Sequence, residues 1–224
     1  AAPIDTVDNY NQITEARKNA DYVLVIIHGG HEHYQLPSPR MKKLYRHYVD
    51  LGADAVVNHH QHCYSGYEIY KERPIVYGLG NFCFDWKGKV NSVWNEGYMM
   101  LLEFDKTIQI ELIPYKQCNT EPKVKLLTTE ESSKFNINIG KLNCYILDNI
   151  ELHNKFDVWR NTRERAIECI FFPYANRYLN AAAVRSYIPI RPHSKQGIAT
   201  ILNMINCEAH RDTSIQILMN KLNK

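Results

Sequence analysis

The chain has 224 residues, 45% of them hydrophobic and 23% charged, with a formal net charge of +3. That length can bury one large core or two small ones, and the composition excludes a disordered tail, a collagen-like repeat and a coiled coil. No run approaches the ~20 apolar residues of a membrane helix, and the charge is too mild to point to nucleic acid as a partner.

The opening AAPIDTVDNY lacks the basic and apolar regions of a signal peptide. It starts with Ala, as expected of a mature or truncated chain. Residues 1–85 hold 8 Lys+Arg and 10 Asp+Glu, so the basic excess lies in the remainder, which holds 19 and 14. The six cysteines (63, 83, 118, 144, 169 and 207) are irregularly spaced and form no CxxC pair. They read as buried or free thiols rather than a disulfide framework. Localisation stays open between cytoplasmic and membrane-associated, with reduced thiols favouring the cytoplasm.

Residues 22–27 (YVLVII) form a continuous apolar, β-branched run that reads as a buried parallel strand. Residues 39–51 place Met41, Leu44, Tyr45, Tyr48, Val49 and Leu51 at helical spacing, and Gly52 stops the helix. Residues 53–58 (ADAVVN) are a second short strand. Strand, helix, glycine and strand make a βαβ unit with a right-handed crossover. Residues 67–70, 75–77, 98–104 and 107–113 are further strands, and Asp105-Lys106 suggests a hairpin between the last two. Residues 114–151 read as a linker with some helix. From about 152 onward the apolar spacing is helical, broken by Pro173, Pro189 and Pro192. The fold class is therefore α/β with a mixed sheet, followed by a mainly helical C-terminal region. The division falls between residues 1–115 and 116–224.

Seven of the ten histidines lie between residues 28 and 62. His28-Gly29-Gly30 follows the first strand, and Asn58-His59-His60-Gln61-His62 follows the second. Ligands bind at such carboxyl strand ends in open α/β sheets, and imidazoles on rigid strand ends suit a catalytic divalent metal. His60 and His62 would share a side if the segment is extended and read as a ligand pair. His28 reads as a ligand or phosphate contact, with Gly29-Gly30 allowing close approach. His59 would point away or donate from behind. Glu32 is a ligand or a supporting group, while His31 and His33 are poorer candidates and His47 belongs on the surface of the helix. Cys63 reads as a buried thiol. Asn81, in the turn Gly78-Leu79-Gly80-Asn81-Phe82, is a ligand, a positioning amide or a turn cap. Neither GxSxG nor GxxxxGK[ST] occurs.

Three ordered blocks carry a family resemblance. They are DYVLVIIHGG with Glu32, then LGADAVVNHHQH, then PIVYGLGNF. Together they resemble the CapA-type capsule-synthesis proteins, which are associated with poly-γ-glutamate capsule formation and related to calcineurin-like metallophosphoesterases. Asn58 stands where the family pattern has Gly, and Gly78 where it has Ser. A C-terminal stretch, residues 206–212, resembles a segment of some members. The resemblance implies half of a layered metallophosphoesterase-like fold, with His28 and His60 catalytic and His28, His60 and His62 on the metal. Glu32, His59 and Asn81 would touch substrate or support the ligands. The cofactor implied is a divalent ion of the Mn, Zn or Fe class, two in a full-length protein. The partners implied are a phosphoester or anionic polymer and capsule-assembly proteins. The family's preceding Gly-Asp and Asn-x-Glu segments, which bring carboxylate ligands, have no counterpart in the first 20 residues. The chain is thus expected to be the C-terminal part of a longer protein, or to lack half the metal centre. Alone it is expected to be a weak or inactive phosphatase. A non-catalytic member binding a polymer or assembly partner, and a remnant with a structural role only, are the alternatives.

Overall fold

The computed structural model describes residues 5–105, 107–206, 210, 215, 217–218 and 221–222. Two compact units are present, Ala1–Val158 and Trp159–Lys224. The segment 206–212 singled out above lies, apart from Asn206 and His210, outside the described residues, as does the turn residue Lys106.

The first unit is mixed α/β. It opens with α1 (Thr6–Asn19), capped by Asp5, whose carboxylate accepts from the Val7 and Asp8 amides. Only Ile13 of this helix is buried. The helix is held instead by charge. Arg17 reaches Asp54 at 2.7 Å, and Asp54 also takes Arg73 and the Val23 amide.

The βαβ unit follows as expected: β1 (Leu24–His28), α2 (Pro39–Asp50) and β2 (Ala55–His59), with β1 and β2 parallel. Ser38 caps α2, Pro39 occupies its first turn, and Gly52 ends it at φ +115°. β3 (Tyr67–Tyr70) and β4 (Arg73–Val76) complete a sheet of order β1-β2-β4-β3, in which β3 alone is antiparallel. β2 and β4 are buried, and Tyr45 of α2 stacks on Tyr77 beyond β4. β1 departs from the expected buried strand. It is an edge, and Leu24 and Ile26 are 43% and 67% exposed. An apolar run reports a strand; whether both its faces are covered depends on what packs there.

A second sheet pairs β5 (Glu96–Phe104), β6 (Ile108–Gln117) and β7 (Val124–Leu126), all antiparallel. The expected hairpin joins β5 to β6, with Phe104 opposite Ile108. Residues 114–151, read as a linker with some helix, do hold a helix, the 19-residue α3 (Thr129–Leu147), but the linker part is corrected: β7 and a packed α3 occupy it. Thr128 and Glu131 form a capping box. Phe135, Ile139, Leu142 and Ile146 make a buried stripe. The asparagines that suggested a linker are structural ties. Asn143 accepts from the Tyr67 amide at 2.8 Å, and Asn138 donates to the Tyr64 hydroxyl at 2.6 Å. The Asn143 contact covers a backbone donor on the β3 edge. Gly66 permits this approach, since a Cβ there would meet Asn143 at 2.6 Å and Ile146 at 2.8 Å.

Helices α4 (Asn149–Asn161), α5 (Glu164–Phe171), α6 (Arg177–Val184) and α7 (Lys195–Asn206) make the region after 149 helical, with breaks near the prolines. Within the second unit Arg165 donates to the carbonyls of Ala183 and Ile188, and Phe172 stacks on His193 at 4.0 Å. No described helix is long and apolar enough to cross a membrane.

Candidate metal centre

β1 and β2 end side by side, with His28 opposite His59 and the Gly29 amide donating to the His59 carbonyl at 3.0 Å. Both chains then turn. Gly30 and His33 take positive φ after β1, and His60 (φ +106°) and His62 (φ +56°) do so after β2. The His33 amide donates to the Gln61 carbonyl at 2.7 Å, which locks the two loops together. Side chains at positive φ cost of order 1–3 kcal/mol each and gather where function demands them. His60 and His62 therefore converge through a left-handed turn, not through the alternation of an extended strand.

The His28 and His60 rings lie 4.8 Å apart, and His60 and His62 5.7 Å. The ligand atoms of Glu32, His60 and His62 all fall within 4.8 Å of one another, and His60 Nε2 is 3.8 Å from Glu32 Oε1. His28 lies against His60 but outside that three-donor set. His59 is half-buried; burial, and secondarily the charge of His28, lowers its pKa. His31 faces Phe156 at 5.3 Å, and burial followed by Arg40 lowers its pKa. His33 lies 5.7 Å from Trp94, and His47 is exposed on α2. Cys63 is fully buried, and burial pushes its thiol up to about 12, which removes it as a nucleophile.

Asn81 is tied at both ends of its amide. Its Nδ2 donates to the carbonyls of His62 (3.2 Å) and Trp94 (3.1 Å), so Oδ1 is the atom facing His62 Nδ1 at 2.8 Å. An amide oxygen only accepts. In the neutral ring this contact places the proton on His62 Nδ1 and leaves the lone pair on Nε2.

Sequence reasoning missed an aromatic shell around His62. Trp94 stacks on it at 4.9 Å, Phe84 meets it edge-on at 5.6 Å, and Trp86 packs on Trp94 at 5.3 Å. The available signal was Phe82, Phe84 and Trp86 directly after Asn81.

The two departures from the family pattern are both accommodated. Asn58 is buried and satisfied: its amide donates to the Gly29 and Tyr77 carbonyls, and its oxygen accepts from Tyr45. It binds β1, β4 and α2 together beneath the site. Gly78 makes room for Gln61, which is 1% exposed; a Cβ at 78 would lie 2.0 Å from Gln61 Oε1. Gly78→Ser is thus expected to cost about 1–3 kcal/mol by overpacking. Gln61→Ala in the same chain should recover most of that cost. A double-mutant cycle on unfolding free energies checks this, and a coupling near zero would contradict it.

Residues 2–86 match the model of the family described as bacterial capsule synthesis protein PGA_cap. The capsule biosynthesis protein CapA of Bacillus anthracis is 45% identical over 78 residues, and the PGA biosynthesis protein CapA of Bacillus subtilis (strain 168) 45% over 73. Each match takes in 33% of this chain and 19% of the relative. The uncharacterized protein y4sH of Sinorhizobium fredii is 37% identical over 84 residues, covering 36% of this chain and 18% of its own. The chain thus spans about a fifth of the length of the curated relatives it matches. His28, Glu32, His59, His60, His62 and Asn81 all lie inside the matched span. Over residues 2–86 this chain is similar to the CapA-type capsule-synthesis proteins that its three motif blocks resemble.

Proposed function

We propose that the chain serves bacterial capsule or exopolysaccharide assembly of the poly-γ-glutamate kind, through a metal-dependent phosphoesterase-type site on Glu32, His60 and His62. The observation that carries this reading is the convergence of one carboxylate and two imidazoles, with the His62 tautomer fixed by Asn81. That donor set fits the site: two histidines and a carboxylate with open positions suit zinc or iron-class ions, and carboxylate oxygen suits manganese. When bound, a divalent ion supplies Lewis-acid charge to a phosphoryl oxygen. The chain's own residues do the rest. Glu32 offers the negative charge, Asn81 holds His62, and exposed His28 beside His60 can donate to an anionic oxygen of the substrate. A second ion would need carboxylates beyond this cluster. Residues 1–115 then supply the phosphoesterase-type segment, half of a metallophosphoesterase-like layered fold, and residues 116–224 add β7 and the helices.

A non-catalytic reading rests on the basic excess after residue 85, which would face an anionic polymer or an assembly partner. One experiment separates the two. Thermal stabilisation by Zn²⁺ or Mn²⁺ and hydrolysis of an aryl phosphate are measured for the chain and for a His60→Ala, His62→Ala double variant. The expected result is metal stabilisation in the chain alone, with weak turnover. Metal uptake without any turnover leaves polymer binding as the function, and absence of metal uptake in both proteins rejects the metal site.

A further inference from the structure

Cys83 and Cys118 stand 35 residues apart in the chain, yet their Sγ atoms are 3.7 Å apart. Cys83 is exposed and Cys118 buried. Both belong to the first unit, and neither touches the three-donor cluster.

The backbone around this pair is held by contacts that do not involve sulfur. The Phe84 amide donates to Gln117 Oε1 at 2.7 Å, and Gln117 Nε2 donates to the Trp94 carbonyl at 2.8 Å. Asn95 Nδ2 donates to the Cys118 carbonyl at 3.0 Å and the Gln117 carbonyl at 3.3 Å. The Cys118 amide donates to the Lys123 carbonyl. Bringing the sulfurs from 3.7 Å to a bonded separation of about 2.05 Å closes a gap of about 1.7 Å. Cys83, the exposed residue of the two, is the one a reagent meets first, and the Cys118 sulfur lies beside it. Burial, followed by the neighbouring Cys83, raises the Cys118 pKa, which suits it to the second, intramolecular step rather than the first.

We infer that Cys83 and Cys118 are a redox pair that forms an intramolecular disulfide by exchange with a small-molecule disulfide. The Cys83 thiolate attacks one sulfur of that disulfide, giving a mixed disulfide and releasing one small thiolate. The Cys118 thiolate then attacks the Cys83 sulfur, giving the Cys83–Cys118 bond and releasing the second small thiolate. The protein loses two electrons and two protons, and the small disulfide gains them as two thiols. The bond ties the loop after β4 to the end of β6. That loop carries Asn81, Phe84 and Trp86, so the redox state sets how freely the shell around His62 moves. The pair does not depend on the metal reading and stands if that reading fails.

The test is treatment of the dilute, reduced 224-residue chain with oxidised glutathione. Free thiols are then alkylated, and the digest is mapped by mass spectrometry without reduction. The expected result is a cross-linked peptide joining Cys83 to Cys118, loss of alkylation at those two positions, and slower amide hydrogen exchange over residues 82–91. Cys118→Ser should trap Cys83 as the glutathione adduct, and Cys83→Ser, at an exposed position that folding tolerates, should give no such cross-link. A stable Cys83 adduct in the unsubstituted chain with Cys118 still alkylated overturns the inference. So does pairing of Cys83 only with a cysteine of a second molecule.

Discussion

Glu68→Ala is expected to destabilise the first unit by about 3–5 kcal/mol, the range for removing one partner of a buried ion pair. Glu68 is 3% exposed. Its two oxygens accept from Arg46 Nε at 3.0 Å and Nη2 at 2.5 Å, and Oε1 also accepts from the Tyr77 hydroxyl at 2.6 Å. One carboxylate thus joins α2, β3 and the end of β4. Its loss leaves a guanidinium partly buried without its counter-charge and a buried phenol without its acceptor. Burial, the largest cause holding Tyr77 above the ordinary phenol range, persists in the variant and opposes its ionising to compensate. The Arg46 guanidinium keeps its contact over the Tyr70 ring, worth about 0.5–1 kcal/mol at an exposed site, too little to make up the loss. Native-state hydrogen exchange of the β2 and β4 amides is the measurement, because the two compact units need not unfold together. Exchange of the slowest amides should accelerate roughly 10²–10⁴-fold, at about 1.4 kcal/mol per decade. An acceleration below tenfold would show that the network is not what holds α2 to the sheet.

At the proposed metal site, Asn81→Ala is expected to weaken divalent-metal affinity about 10–100-fold, the usual cost of losing a group that orients a ligating histidine. The substitution removes the acceptor that keeps the proton on His62 Nδ1 and frees the ring to present either nitrogen. It also unties the His62 and Trp94 carbonyls. Competition with a chelating dye gives the affinity, and hydrogen exchange on β2 shows whether the unit is still folded. An unchanged affinity in a folded variant would mean that Asn81 serves the turn and not the histidine.

The parts legible in the sequence are those written in contiguous residues. The run 22–27, the helical spacing of 39–51, Gly52 and the run 53–58 suffice for β1, α2 and β2, because period and punctuation are local properties. The clustering of histidines at two strand ends is legible for the same reason. What was not legible depends on partners far along the chain. The exposure of Leu24 and Ile26 depends on what flanks β1. Helix α3 hid behind Asn138 and Asn143, whose polarity made sense only once Tyr64 and Tyr67 stood opposite them. The convergence of His60 and His62 was expected from strand alternation and arises from two left-handed residues, which no period announces. Glu32 joins the imidazoles because the loop after β1 is bonded to Gln61, a contact made across the gap between two strand ends.

The buried Lys42 ammonium has a consequence for biosynthesis. Lys42 on α2 donates to the Ile146 carbonyl at the end of α3, 104 residues later, and to Asn149. A cation at a helix C-terminus is favoured by the helix dipole, but here the helix arrives late. At ~5–20 residues per second, roughly 5–20 s separate the synthesis of the two partners. Throughout that interval the ammonium must stay hydrated, and the flank of α2 that α3 will cover stays open. The nascent β1–α2–β2–β4 layer therefore reaches its final packing only when α3 has been made.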